Sequence, residues 1–148
     1  MRFKAAALAL VLPLAACGNY PRDPNGTLDR VRNSRSFSVG LAAPLDKSAP
    51  EVGVFLDRLG RELAATPQAI DGDAETLLTQ LEEGKIDLVI GQFEKKSPWL
   101  DRVTIGPPLR LEPQDKLEFL LAPAMSNGEN AWIALIEREV RDIAPHAQ

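Results

Sequence analysis

The residues best equipped to meet a ligand follow one another in "GQFEKKSPWLDRV" (91–103), which carries a carboxamide, a carboxylate, two ammonium groups, a hydroxyl and an indole. Gln92, Glu94, Lys96, Ser97 and Trp99 are therefore the candidate ligand-binding residues. Trp99, beside Pro98, either covers a sheet edge or offers a flat apolar wall to a ligand. Lys95 and Lys96 are either a solvated pair or an anion clamp. Catalysis lacks its parts. The chain has one cysteine, Cys17, and one histidine, His146, close to its end, so neither a metal centre nor a Cys/His nucleophile pair is expected. No G-x-S-x-G elbow or P-loop is present. The carboxylates of "EEGK" and "DGD" fall at a helix end and in a helix cap, where such charges are solvated. No catalytic residue, metal ligand or cofactor is assigned.

Hydrophobic periodicity defines the elements that must position this stretch. Phe37, Val39 and Leu41 alternate as in a strand, and from Pro50 onward Val52, Phe55, Leu56, Leu59 and Leu63 form one helical stripe. "TPQAID" reads as a second, short strand. In "DGDAETLLTQLEEG", Ala74, Leu77, Leu78 and Leu81 share a helix face, Asp71 or Asp73 can cap the first turn, and Gly84 stands at the left-handed position that ends it. "IDLVI" is a continuous apolar run, buried on both faces as central strands of parallel sheets are. Strand, helix, strand, helix, strand predicts right-handed crossovers, with ligand-binding loops after Val39 and Ile90 at the carboxyl ends. "KLEFLLA", with Leu117, Phe119 and Leu121 alternating, predicts another strand, and "PAMSNGEN" a turn. A last helix from Asn130 aligns Trp132, Leu135, Ile136, Val140 and Ile143, with Trp132 as a core anchor. The fold class is α/β: a single open lobe with a mostly parallel sheet and flanking helices.

The chain has 148 residues, 45% apolar and 26% charged, which fits one domain with a proper core. A net charge of −4 gives no electrostatic footprint for nucleic acid. Residues 1–16 combine a basic start, Arg2 and Lys4, with an apolar run over 5–16, the pattern of a cleavable export signal. That run is short of the roughly 20 apolar residues that span a bilayer. "LAAC", ending at Cys17, resembles a bacterial lipobox, in which the cysteine becomes the acylated first residue of the mature protein. Residues 17–26 are expected to be a tether rich in Pro, Gly and Asn, and 27–144 the α/β domain. Without Arg2 and Lys4 the balance is −6, so the membrane is to be held through lipid and not through a basic surface. Gly18, where an aspartate can retain lipoproteins at the inner membrane, points to the outer membrane, with the domain facing the periplasm.

"TLDRVRNSRSFSVGLA", "GKIDLVIGQFEKKSPWLDRVTIGPPL" and "KLEFLLAPAMSNGENAW" resemble solute-binding proteins of family 3, the periplasmic receptors that deliver polar amino acids to ABC importers. The resemblance runs from about Tyr20 to Arg141, and Gly84, Asp87, Ser97, Pro98 and Pro108 match the family pattern. It implies lobe 1 of a periplasmic-binding-protein fold, a small polar solute, and an ABC permease or another periplasmic protein as partner. Two departures qualify it. The arginine that grips a substrate carboxylate two residues after the proline is here Leu100; Arg102 aligns elsewhere, and a lysine is a point charge and not a planar fork. Only "RLEPQD" separates "GPPL" from "KLEFLLA", which leaves no room for a second lobe. A non-transport scaffold or interaction module is the alternative function.

Overall fold

The structure is a computed structural model in which residues 23–45, 49–110 and 119–143 are described. The export signal, Cys17, the first part of the tether, Leu117 and His146 lie outside the described residues. The elements are α1 (Thr27–Ser34), β1 (Ser36–Ala43), α2 (Pro50–Leu63), β2 (Thr66–Asp73), α3 (Ala74–Glu82), β3 (Leu88–Glu94), a turn of 3-10 helix (Pro98–Asp101), β4 (Val103–Ile105), β5 (Phe119–Ser126) and α4 (Asn130–Ile143). They build one sheet in the order β2-β1-β3-β5-β4. β1 pairs parallel with β2 and β3, while β5 pairs antiparallel with β3 and β4, so β5 alone runs against the others.

Strand alternation divides the core. Phe37, Val39, Leu88 and Ile90 face α1, α2 and α4, and Ala42, Val89 and Phe93 face α3. α2 buries Val52, Phe55, Leu59 and Leu63, as its periodicity demands. α3 is capped by Asp73, whose Oδ1 accepts from the Thr76 N–H at 2.9 Å, and Gly84 follows it at φ +70°. Trp132 is fully buried, donates from Nε1 to the Asp87 carbonyl at 2.8 Å, and meets Phe37 edge-on.

Three features depart from the sequence expectation. Loops do not follow Val39 and Ile90; β1 and β3 run on to Ala43 and Glu94. β2 accompanies β1 as far as Ala43, and β5 pairs Gln92 with Leu121 and Glu94 with Phe119, so partners for both extensions come from distant sequence. The predicted turn at Pro123 is instead the middle of β5. The Pro123 carbonyl accepts from Gly106 N at 2.8 Å, so its missing N–H lies on the same side, just past the end of β4, and only a terminal ladder bond is lost.

At the amino ends of β1 and β3 sits a buried carboxylate. Asp87 Oδ1 accepts from Arg30 Nη2 at 2.6 Å, and Oδ2 accepts from both the N–H and the hydroxyl of Ser38 at 2.8 Å. Together with its carbonyl bond to Trp132, one residue links α1, β1, β3 and α4. Beside it, two helices cap each other. Glu129, before α4, accepts from Asn25 N at 2.6 Å and Thr27 N at 2.8 Å, and Asp23, before α1, accepts from Ala131 N at 2.7 Å. These bonds satisfy amide groups that each helix start leaves orphaned. Residues 23–26, within the stretch expected as tether, are thus docked on the domain. Between α2 and α4, the buried Glu139 accepts from Arg58 Nε at 2.7 Å and Arg138 Nε at 3.1 Å, which strengthens the hold of both guanidiniums on their protons.

Asp87→Ala should lower unfolding stability by about 3 kcal/mol, because it strands the part-buried Ser38 donors, whereas Arg30→Ala, which keeps both Ser38 bonds and vacates a half-exposed position through which water reaches Oδ1, should cost about 1 kcal/mol. Urea unfolding of both variants measures the order; equal losses would contradict it. The Thr76 N–H holds the Asp73 carboxyl below its ordinary 3.8. A depressed carboxyl stabilises the fold above the unfolded value and loses that contribution as pH falls through the folded one. The stability difference between wild type and Asp73→Asn should therefore hold at neutral pH and vanish on acidification below about 4.

Candidate functional site

β1 lies between β2 and β3, with α2 crossing one face of the sheet and α3 the other, so the chain leaves β1 and β3 in opposite directions at their carboxyl ends. A crevice opens at such a switch point. Pairing brings Asp71 beside Leu41 and Ile90 on its other side, and sets Gln92 against Leu121 and Glu94 against Phe119. Gln92 and Glu94 share the parity of Leu88 and Ile90, so they project on the α2 side, beyond the helices that cover the sheet. A cavity of about 250 Å³ opens at the same edge, lined by Leu41, Ala43, Leu45, Asp71 and Gly72. Gly91 marks where β1 and β3 part: a Cβ there would stand 2.9 Å from that of Ala42. Only glycine fits without a shift.

The five candidate residues do not form one cluster. Gln92 and Glu94 stand exposed at the carboxyl edge, and Lys96 is exposed in the turn after β3. Ser97 caps the 3-10 turn, its Oγ accepting from Trp99 N at 3.3 Å. Trp99 packs against the α3-side core, and the Arg102 guanidinium lies 4.3 Å from its ring centroid. Arg102 in turn pairs with Glu82 of α3 through Nε, at 3.0 Å, and Nη2, and this raises its affinity for its proton.

Strand order explains the division. β3 and β4 run in the same direction with β5 between them, so residues 95–102 must return from the carboxyl end to the amino end. The Asp101 carbonyl accepts from Asn127 Nδ2, in the turn after β5, which places the end of the connection at the amino end. Trp99 and Arg102 fasten this return to α3. Leu100, in the arginine's place, lies exposed on the descending segment. Local sequence marks Asp71 only as an alternative cap. Once Asp73 takes that role, the parallel register with Leu41 assigns Asp71 to the cavity. Among the described residues no group of His, Cys, Asp and Glu is arranged to hold a metal ion.

No protein-family model matches the chain, and no curated protein sequence matches it. Solved structures do. The arginine-bound form of domain 1 from TmArgBP superposes with a TM-score of 0.65 at 17% identity, covering 77% of this chain and 98% of that one. A cysteine-binding protein from Campylobacter jejuni gives 0.62 at 10% identity, covering 80% of this chain and 88% of that one. An ancestral amino-acid-binding protein, AncCDT-1, described as a precursor of cyclohexadienyl dehydratase, gives 0.64 at 10% identity over 81% and 94%. The fold is that of a solute-binding-protein lobe.

Arg102→Ala should uncover the Trp99 ring and raise acrylamide quenching of the protein's tryptophan emission, while Trp132 stays protected. Adding Trp99→Phe should remove the increase. An increase that persists in the double variant would locate it at Trp132 instead.

Proposed function

We propose that the domain binds a small polar solute of the amino-acid class at the carboxyl edge of its sheet. The observation that carries this reading is that a single lobe of the same fold, domain 1 from TmArgBP, is itself described as arginine-bound, and this chain covers 98% of it. One lobe of this architecture is therefore a sufficient frame. The edge offers the carboxylates of Asp71 and Glu94 for a cationic group, the Gln92 carboxamide for a hydrogen bond, and Leu41, Leu45 and Phe119 for the aliphatic part. Leu100 lies below this edge, and a solute carboxylate there would meet the point charge of a lysine such as Lys96 and not a planar fork. A one-sided crevice leaves much of a ligand in water, which predicts weak affinity and a preference for the cationic end.

On this reading the protein is an exported receptor, anchored to the envelope by acyl chains on Cys17 and supplying an uptake system across the periplasm. The lipobox-like "LAAC" supports the anchor, and among the described residues no helix is long and apolar enough to cross a membrane. A second reading, a protein-interaction module, is favoured by the exposure of Phe119 at the edge and Leu100 below it, 46% and 47%.

Calorimetric titration with L-arginine, L-cysteine and neutral amino acids tests the site. Arginine should bind, and Glu94→Gln should weaken it about tenfold, as loss of one charge-assisted bond requires. Absence of heat with every amino acid would sink the solute reading and leave the interaction module. Metabolic labelling with a fatty-acid analogue tests the anchor: wild type should incorporate it and Cys17→Ser should not.

A further inference from the structure

Chain entry into the domain is fixed in place. Asp23 N donates to the Gly128 carbonyl at 3.3 Å, Asp23 Oδ1 accepts from Ala131 N, and Asn25 and Thr27 donate to the fully buried Glu129. Gly128 and Glu129 come after β5, whose end lies level with Asp87 and the amino ends of the parallel strands. The end of α3 is there too, since a Cβ on Gly84 would stand 3.4 Å from the Asn25 carboxamide. The candidate binding edge, with Ala43, Gln92 and Glu94, is at the opposite end of the sheet.

The tether is shorter than the sheet is tall. Asp23 comes six residues after Cys17. Fully extended, that stretch reaches about 20 Å. The eight residues of β1 span about 25 Å from the amino to the carboxyl edge. A tether leaving the amino end cannot run the height of the sheet and still reach lipid on the other side.

We infer that the domain stands on its bilayer on the amino-terminal end of the sheet and presents Gln92, Glu94 and the cavity beside Asp71 to the aqueous side. This rests on the reading that Cys17 carries the lipid. A partner that receives or supplies solute at that edge then approaches from the periplasm or from the opposite membrane. A protein embedded in the same bilayer meets α1 and the turn between α3 and β3 instead. The anchor thereby selects among partners: with lipid in the outer membrane, the binding edge faces an inner-membrane permease across the periplasm.

The test uses the full lipidated protein in phospholipid vesicles with a headgroup-attached nitroxide quencher. A fluorophore is placed at Lys85→Cys, in the turn between α3 and β3, or at Glu94→Cys, at the carboxyl edge. Flotation with the vesicles reports the anchor, and quenching reports the orientation. The Lys85→Cys probe should be strongly quenched and the Glu94→Cys probe should not. A Gly/Ser insert of about twenty residues between Asn19 and Tyr20 should abolish the asymmetry without affecting flotation. Equal quenching of both probes in the uninserted protein would overturn the orientation while leaving the lipid reading intact. Failure to float would remove the anchor, and the orientation with it.

Discussion

Asp87 is the constraint on which the rest of the lobe depends. A carboxylate taken out of water is tolerated only when its lone pairs are met, and here Arg30 and Ser38 meet them from two elements that precede β3 by many residues. That requirement fixes the register of β1 against β3 at Val39 and Leu88 and sets α1 across the amino end. The carbonyl of the same residue fixes Trp132, and through it the angle at which α4 returns to the sheet. An apolar residue at position 87 would leave the Ser38 amide and hydroxyl without their carboxylate acceptor. The aspartate specifies an arrangement as much as it stabilises one.

The mutual capping of α1 and α4 extends this logic. α1 starts at Thr27, after Gly26 in a left-handed conformation with no side chain to cap it, so the helix depends on Glu129 from the far end of the chain. An eight-residue helix is too short to be stable alone. It persists because its start is paired with another helix's start, at a junction where Thr27 and Glu129 are buried. The amino end of the sheet is therefore cross-braced by side chains in and just before α1, α4 and β3. Toward the carboxyl end β1 and β3 separate beyond Leu41 and Ile90, and Gln92 and Glu94 are exposed.

What was legible in the sequence was what repeats locally. Val52, Phe55, Leu59 and Leu63 declare α2, Leu77, Leu78 and Leu81 declare α3, and "IDLVI" declares the middle of the sheet, because helix and strand periods need no knowledge of the partner. Features supplied by distant chain were hidden. β4 is three residues long and exists because β5 pairs with it. β3 continues through Gln92 and Glu94 for the same reason. Nothing in the local sequence marks Glu129 and Glu139 for burial, yet both are buried, because partners on other elements meet them. The candidate site suffered most. Whether "KKSPWLDRV" holds a ligand or carries the chain away depends on β5 standing between β3 and β4, a topological fact with no local signature.

That topology changes the meaning of Leu100. A missing arginine at a binding edge would mean that a solute carboxylate had lost its fork. On a segment descending toward Asp101, held to α3 by Trp99 and Arg102, the same position lies below the edge, and its side chain does not decide what the edge can bind. On the proposed solute-binding reading, specificity would pass to residues set by strand register: Asp71 through its pairing with Leu41, and Gln92 and Glu94 through theirs with β5. Register places these groups more firmly than a loop does, since each is held by ladder bonds on the strand itself. A rigid half-site of this kind cannot close over a ligand. On the proposed reading it would discriminate by charge at the rim, and further selectivity would come from the surface that meets it from the other side.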